Sequence, residues 1–175
     1  MHDRLTKVFK KINCNYEIIF VCDGSPDNSE DILKKICNKD KKTVAIIHSR
    51  NFSSQNSFSS GMKIASGDAV ILLDGDLQDP PELIEKFVEQ WRKGYEVVYG
   101  RRVKREVGFL LGIAYRLFYR IFNKLSYIKV PHDAGDFSLI DKKAYKIIHS
   151  FPEKDIFIRG LRAWVGFKQI GVDYI

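Results

Sequence analysis

Asp74 and Asp76 stand two residues apart with Gly75 between them, at the end of the apolar run that begins at Val70. Side chains alternate along an extended chain, so this spacing sends both carboxylates to one side of a strand end. Gly75 lets the backbone turn tightly and leaves room for a bulky ligand. Carboxylates so placed suit a hard divalent cation, but two are too few to cage Mg²⁺ or Mn²⁺ alone; substrate phosphates and water usually complete such a shell. Taken by itself, Asp-Gly-Asp is most often a solvated turn. The residues that follow add to the case. Asp79-Pro80-Pro81-Glu82 reads as a helix start, with Asp79 as N-cap, Pro80 at the first helical position and Glu82 completing a capping box. Strand, paired carboxylates and helix start together put a cation site at the carboxyl edge of an α/β sheet, where open sheets of this class bind ligands.

The elements that must position these carboxylates follow from periodicity. Val70–Asp74 reads as a buried strand of a parallel sheet. Before it, residues 1–13 place Leu5, Val8, Phe9 and Ile12 on one helical face, which predicts an amphipathic helix packed on a sheet. Tyr16–Cys22 is a first strand and opens into the turn Asp23-Gly24-Ser25-Pro26-Asp27. Asp23 there either accepts hydrogen bonds from a nucleotide base or belongs to a turn that caps the helix Ser29–Cys37. Thr43–His48 is a second strand leading to Arg50, which meets a phosphate or pairs on the surface. After the carboxylates, Ile84, Val88 and Trp91 recur at helical spacing and Gly94 stops the helix. Tyr95–Gly100 is another strand, and it opens into the basic loop Arg101–Arg105, which is either a solvated face or a phosphate site. Residues 107–125 carry an apolar stripe together with Arg116, Arg120 and Lys124. That pattern fits a helix lying in a membrane interface or one buried against the sheet. Asp141–Ser150 is a short capped helix.

Composition narrows the classes. The 175 residues suffice for one domain with a real core. A net charge of +7 favours acidic partners such as nucleotide phosphates, anionic lipid heads or nucleic acid. Cys14, Cys22 and Cys37 have no CxxC spacing and read as reduced, packed thiols; the four histidines are scattered and suggest no zinc site. The charged first thirteen residues do not resemble a signal peptide, and no stretch has the apolar length of a spanning helix.

The segment LDGDLQDPPE, residues 73–82, closely resembles the DxD segment of family-2 glycosyltransferases. The resemblance is to the branch that transfers sugar from a nucleotide diphosphate to a polyprenyl phosphate, which includes dolichol-phosphate mannose synthases and undecaprenyl-phosphate glucosyltransferases. It extends over residues 14–175 in ordered motifs. The turn at Asp23 is similar to the family's D-D-G-S-x-D loop, with Cys22 in place of the first aspartate and Asp23 at the position that faces the base. Ser49-Arg50-Asn51-Phe52 is followed by Ser53 where the family has glycine, while Gln55, Gly61 and Ala65-Ser66-Gly67-Asp68 are kept. Arg102 and Arg105 align with an R-x-x-R pair near the acceptor's phosphate. Asp133-Ala134-Gly135-Asp136-Phe137-Ser138-Leu139 resembles D/N-A-G-D-F-R-L, which puts Asp136 at the catalytic carboxylate and Ser138 where arginine is usual. Phe157–Phe167 resembles F-I-R-G-L-x-x-W-x-G-F, with Arg159 near the diphosphate, Trp164 near sugar or acceptor, and Gly166 matched.

The resemblance implies a GT-A-type, Rossmann-like α/β fold in a single catalytic domain spanning residues 1–175. It implies a metal-dependent, inverting hexosyltransferase. Asp74, Asp76 and Gln78 would hold Mg²⁺ or Mn²⁺, and Asp23, Arg50 and Asp74 would bind the nucleotide. Its partners would be a UDP- or GDP-sugar, a polyprenyl phosphate and a membrane surface at the cytoplasmic inner face, not nucleic acid; homo-oligomerisation stays open. Family members start with a V-I-P-x-Y-N-E strand and continue into a membrane region, so this chain is expected to lack its first strand and that region. The strands at Tyr16–Cys22 and Val70–Asp74 should then lie parallel but unpaired. Two rivals remain: an inactive fragment that binds membrane or a partner through residues 107–125, and a nucleotidyltransferase.

Overall fold

The computed structural model describes residues 1–103, 134–151 and 157–175. Six strands are present among them: β1 (Ile18–Cys22), β2 (Thr43–Ile47), β3 (Ala69–Leu72), β4 (Val97–Arg102), β5 (Ala134–Asp141) and β6 (Gln169–Tyr174). The helices are α1 (His2–Ile12), α2 (Ser29–Lys39), α3 (Ser54–Ile64), α4 (Ile84–Arg92), α5 (Lys142–Ser150) and α6 (Ile158–Trp164), with a 3₁₀ turn at Pro81–Leu83.

The β4 sequence shows how the layers arise. Successive side chains of a strand point to opposite faces, and both Val97 and Val98 are fully buried. On one face Val97 and Tyr99 join Val70, Leu72 and Ile140 under Met62 of α3, Ala144, Tyr145 and Ile148 of α5, and Ile158 of α6. On the other, Val98, Phe137 and Leu139 meet Leu5 and Val8 of α1 and Ile84, Phe87 and Val88 of α4. Each such side chain, fully buried, contributes about 1.5–3 kcal/mol. The result is helix, sheet, helix: a three-layer mixed α/β fold.

The sheet order is β3-β5-β4-β6, with β1 and β2 in a separate parallel pair. β5 runs antiparallel to both β3 and β4, and β6 runs parallel to β4. The expected parallel setting for Val70–Asp74 is therefore corrected, since the described neighbour of β3 is antiparallel. Its continuous apolar run reflects helices on both faces, which requires apolar residues on both sides whatever the strand direction. Among the described residues β1 and β3 do not pair, as expected; Glu17, just before β1, instead accepts the Ser66 N–H and O–H at 2.8 and 2.7 Å.

Two local expectations change. The capping box at Asp79 and Glu82 does not form: no side chain caps the 3₁₀ turn, and Glu82 accepts from Arg4 Nε at 2.9 Å. The amphipathic α1 buries Leu5 and Val8 beside this turn and α4, tied there also by Lys11 to Glu85 at 2.7 Å. The cap at Asp141 does form, through the Lys143 N–H. Among the described residues no helix is long and apolar enough to cross a membrane.

Candidate active site

The β3–β5 ladder pairs Leu72 with Ser138. Asp74, two residues past Leu72, and Asp136, two residues before Ser138, come close enough beyond the end of this ladder for one charge to act on the other. Like charges so placed repel, and the effect is visible at Asp74. Burial raises its pKa, and Asp136, Asp76 and Asp79 add to the rise, with Arg159 working against them. Arg159 reaches Asp136 from α6, its Nε 3.0 Å from Oδ1. The pair is close without being aligned, since neither buried atom finds a hydrogen-bond partner among the described residues. Gln55 on α3 fixes the start of α6 by accepting the Ile158 N–H at 2.9 Å. Strand register and a helix–helix tie thus bring together a carboxylate pair and an arginine separated by 85 positions in sequence.

The loop after Asp74 is shaped by its own side chains. Asp76, exposed, accepts the Gln78 N–H at 3.0 Å, while Leu77 takes a left-handed φ of 63°. Asp79 accepts from Arg102 Nη2 at 2.7 Å and from the Tyr174 hydroxyl. These bonds tie the loop to β4 and β6. Gly100 makes the second possible, because a Cβ there would sit 2.9 Å from Tyr174 Cε1. Arg102 is therefore part of the site's frame, held by Asp79; Arg105 and the segment 107–125 lie outside the described residues.

A second group forms at the ends of β1 and β2. Asp23 accepts from His48 Nδ1 at 2.7 Å and from the Phe52 N–H at 2.9 Å, and His48 Nε2 meets Ser60 Oγ at 2.9 Å. Burial alone would raise the Asp23 pKa, but the His48 and Phe52 hydrogen bonds hold it below the ordinary carboxylate value. Gly24 permits the close approach of the two loops; at φ 66°, a Cβ on it would lie 2.6 Å from the Asn51 amide nitrogen. Arg50 stacks over Phe52 at 4.1 Å and donates to the Asn51 carbonyl. Trp164 is 54% exposed and meets Phe151 edge to face.

Residue type and spacing alone do not single out His48, Tyr174 or Arg162, which the fold brings to these groups. Arg162, in the F-I-R-G-L-x-x-W-x-G-F match, is buried against the Gly135 carbonyl, within reach of the charge of Asp136. Its position three residues after Arg159, on the same helical face, is the signal that was available. Oxygen donors at Asp74, Asp76 and Gln78 fit a hard divalent ion, and a cation beside Asp74 would relieve the repulsion that raises its pKa. No three His, Cys, Asp or Glu side chains converge as a ready metal group among the described residues.

Residues 2–148 match the glycosyl transferase family 2 domain. A Bacillus subtilis (strain 168) glycosyltransferase, YkcC, is 43% identical over 99% of this chain and 54% of its own length. The bactoprenol glucosyl transferase of Shigella phage SfV is 36% identical over 91% of the chain and 52% of its own, and an Escherichia coli (strain K12) prophage bactoprenol glucosyl transferase homolog is likewise 36% identical, over the same shares. The chain spans about half the length of the curated relatives it matches. With the mixed α/β layers and carboxylates at adjacent strand ends, the match over residues 2–148 establishes that the chain belongs to glycosyl transferase family 2.

Proposed function

We propose that this domain, as a single catalytic domain over residues 1–175, transfers a hexose from a UDP- or GDP-linked sugar to a polyprenyl phosphate, with inversion at the sugar. The observation that supports it most is the meeting of Asp74 and Asp136 across β3 and β5 with Arg159 beside them. The names of the phage and E. coli relatives, which specify bactoprenol, support the acceptor class.

In this reading an acceptor phosphate oxygen attacks the anomeric carbon as its bond to the nucleotide diphosphate breaks. Asp74, Asp76 and Gln78 would hold Mg²⁺ or Mn²⁺, which supplies charge neutralisation for the departing diphosphate. Arg159, 38% exposed in its side chain, is placed to turn from Asp136 toward the same phosphates. Arg102 and Arg105 would receive the acceptor phosphate, and Asp23 and Arg50 the nucleotide. Trp164 offers an exposed ring to sugar or lipid. A phosphate monoester with a second pKa near ~6 is already largely ionised at neutral pH, so Asp136 acts by position more than by taking a proton. The +7 charge suits work at the inner face of a membrane.

The test separates binding from chemistry. Asp76→Asn should sharply weaken Mn²⁺-dependent binding of UDP or GDP in calorimetry. Asp136→Asn should leave that binding near the parent's while cutting sugar transfer, because it acts mainly during transfer. Parent-like nucleotide binding by Asp76→Asn would remove the metal assignment and the main support of the mechanism.

A further inference from the structure

Arg162 is 1% exposed, the largest fully buried side chain among the described residues. Its Nη2 donates to the Gly135 carbonyl at 3.2 Å, its guanidinium carbon lies 5.2 Å from the Tyr99 ring centroid, and Nη1 has no aligned partner among the described residues. The Gln169 side chain holds the Arg162 carbonyl at 2.8 Å. An incompletely bonded buried cation is costly, and an apolar side chain of similar size is often at least as stable in such a place. Something on this face of the sheet must offset that cost.

The face is defined by register. Tyr99 of β4 pairs with Ser138 of β5, and the register shifts beyond that pair; Phe137 turns to the opposite core, while Asp136 beside it is near enough for its charge to act on Arg162. Ser138 itself is fully buried and turns its hydroxyl to the Asp136 carbonyl at 2.8 Å, so it brings no charge. Asp136 Oδ1, like Arg162 Nη1, is a buried atom without an aligned partner. Burial draws the Arg162 pKa down to about 10, while Asp136 and Tyr99 pull it back up and Arg159 opposes them. The guanidinium therefore remains charged at neutral pH. Arg159 and Arg162 share one face of α6, but Arg159 is partly exposed and Arg162 is not.

We propose that Arg162 is a positioning residue: the interior counter-charge that keeps Asp136 in place when Arg159 leaves it for the phosphates of a nucleotide sugar. The destination of Arg159 rests on the transferase reading; the nearness of Arg162 to Asp136 does not. A role limited to tacking α6 onto the Gly135 carbonyl would make the stability effect of losing Arg162 independent of residue 136.

The deciding experiment is a double-mutant cycle on the full chain, read by thermal unfolding and by sugar transfer. Arg162→Met should lower Tm by roughly 10 °C, and adding Asp136→Asn should recover about half of that loss, because the carboxylate left without a counter-charge is gone. Arg162→Lys, which keeps the charge, should stay much nearer the parent. If Arg162→Met does not fold, the cycle is run with Arg162→Lys, whose smaller loss Asp136→Asn should also reduce. In transfer assays, Arg162→Met should lower kcat on the order of a hundredfold while KM for the nucleotide sugar changes by less than about threefold. Arg159→Gln should mainly raise that KM. An additive cycle, a lysine variant no better than methionine, or a parent-like kcat in Arg162→Met would overturn the proposal. A parent chain that transfers no sugar would sink the transferase reading instead, and the stability cycle would still decide the role of Arg162.

Discussion

Asp23 and Asp74 each stand at a strand end, and the chain treats them in opposite ways. Asp23, at the end of β1, is supplied with hydrogen bonds from His48 and the Phe52 amide, and its pKa lies below the ordinary value. Asp74, past the end of β3, is half-buried among Asp76, Asp79 and Asp136, and its pKa lies above it. The first carboxylate is satisfied from within the fold and helps to hold the Arg50–Ser53 loop in place. The second is left short of positive charge, the kind of perturbed carboxylate that clusters at functional sites. The supporting sheets differ in the same sense. β3 and β5 are covered on both faces, whereas the β1–β2 pair leaves Val44 and Ile47 over 40% and 40% exposed respectively. Electrostatic discomfort is kept where the packing is strongest.

This contrast breaks if the two aspartates respond alike to neutralisation, and the largest effect is expected at Asp74. Asp74→Asn should cost at least about a hundredfold in divalent-dependent nucleotide affinity, because even outer-shell partners of a metal are worth ten- to a hundredfold. With a chelator present, the same variant should unfold a few degrees higher than the parent, since one of four mutually repelling carboxylates is gone. Added Mn²⁺ should raise the parent's Tm and leave the variant's nearly unchanged. Loss of stability in Asp74→Asn would show that this carboxylate, like Asp23, is structurally satisfied.

The next effect is at His48. Replacing it with phenylalanine keeps a ring and removes the donor to Asp23, which should cost about 2 kcal/mol, the usual worth of a hydrogen bond to a charged group. For a chain of this length that is roughly 4–8 °C in Tm. The pH dependence has a definite sign. Asp23 has a folded-state pKa below its unfolded value, so its contribution is present above the ordinary carboxylate range and is lost as pH falls through the folded value. The gap between parent and His48→Phe should therefore narrow on acidification, in thermal scans taken from pH 7 to pH values below about 4. A gap that stays constant would mean that His48 acts through packing against Phe52 rather than through Asp23.

What the sequence made legible divides along the same line. Periodicity located several elements within a few residues: Tyr16–Cys22 against Ile18–Cys22, Thr43–His48 against Thr43–Ile47, Asp141–Ser150 against Lys142–Ser150; β5, α6 and β6 lie in segments legible only as motifs, not as elements. Asp74, Asp136 and Arg159 were legible because their flanking residues form long motifs. Asp79 and Glu82 were misread because local capping rules compete with partners that sequence spacing does not reveal. Asp79 goes to Arg102 and Tyr174, and Glu82 to Arg4 across 78 positions. The direction of the β3 neighbour was hidden for a similar reason, since an apolar run records burial of two faces and not strand polarity. Arg162 lay in plain view within a motif, but its burial depends on the approach of β4 and β5 from elsewhere in the chain.

The smallest predicted effect concerns Ser53, and it sharpens the contrast by asking where backbone strain resides. The family resemblance places glycine at this position, and the backbone still takes a glycine-like conformation, with φ 84° and ψ 156°. An L side chain there costs about 1–3 kcal/mol. Glycine would remove that cost but would return about 0.5–1 kcal/mol through greater freedom of the unfolded chain. The hydroxyl itself has little to lose, since it accepts only a long hydrogen bond from Asn56 Nδ2, at 3.5 Å, among the described residues. The backbone bonds survive any side chain: the Ser53 N–H donates to Asn51 Oδ1 at 3.0 Å, and its carbonyl accepts the Ser57 N–H at 3.1 Å. Ser53→Gly should therefore stabilise the protein by about 1 kcal/mol, or roughly 2–4 °C in Tm, whereas Ser53→Ala should bring no gain because alanine keeps the Cβ. The conformation is set by the loop that Asp23 holds through the Phe52 amide, so the gain should shrink in an Asp23→Asn background, where the loop is released and the serine can relax. Equal gains in both backgrounds would place the strain in the α3 start alone and remove Asp23 as its cause.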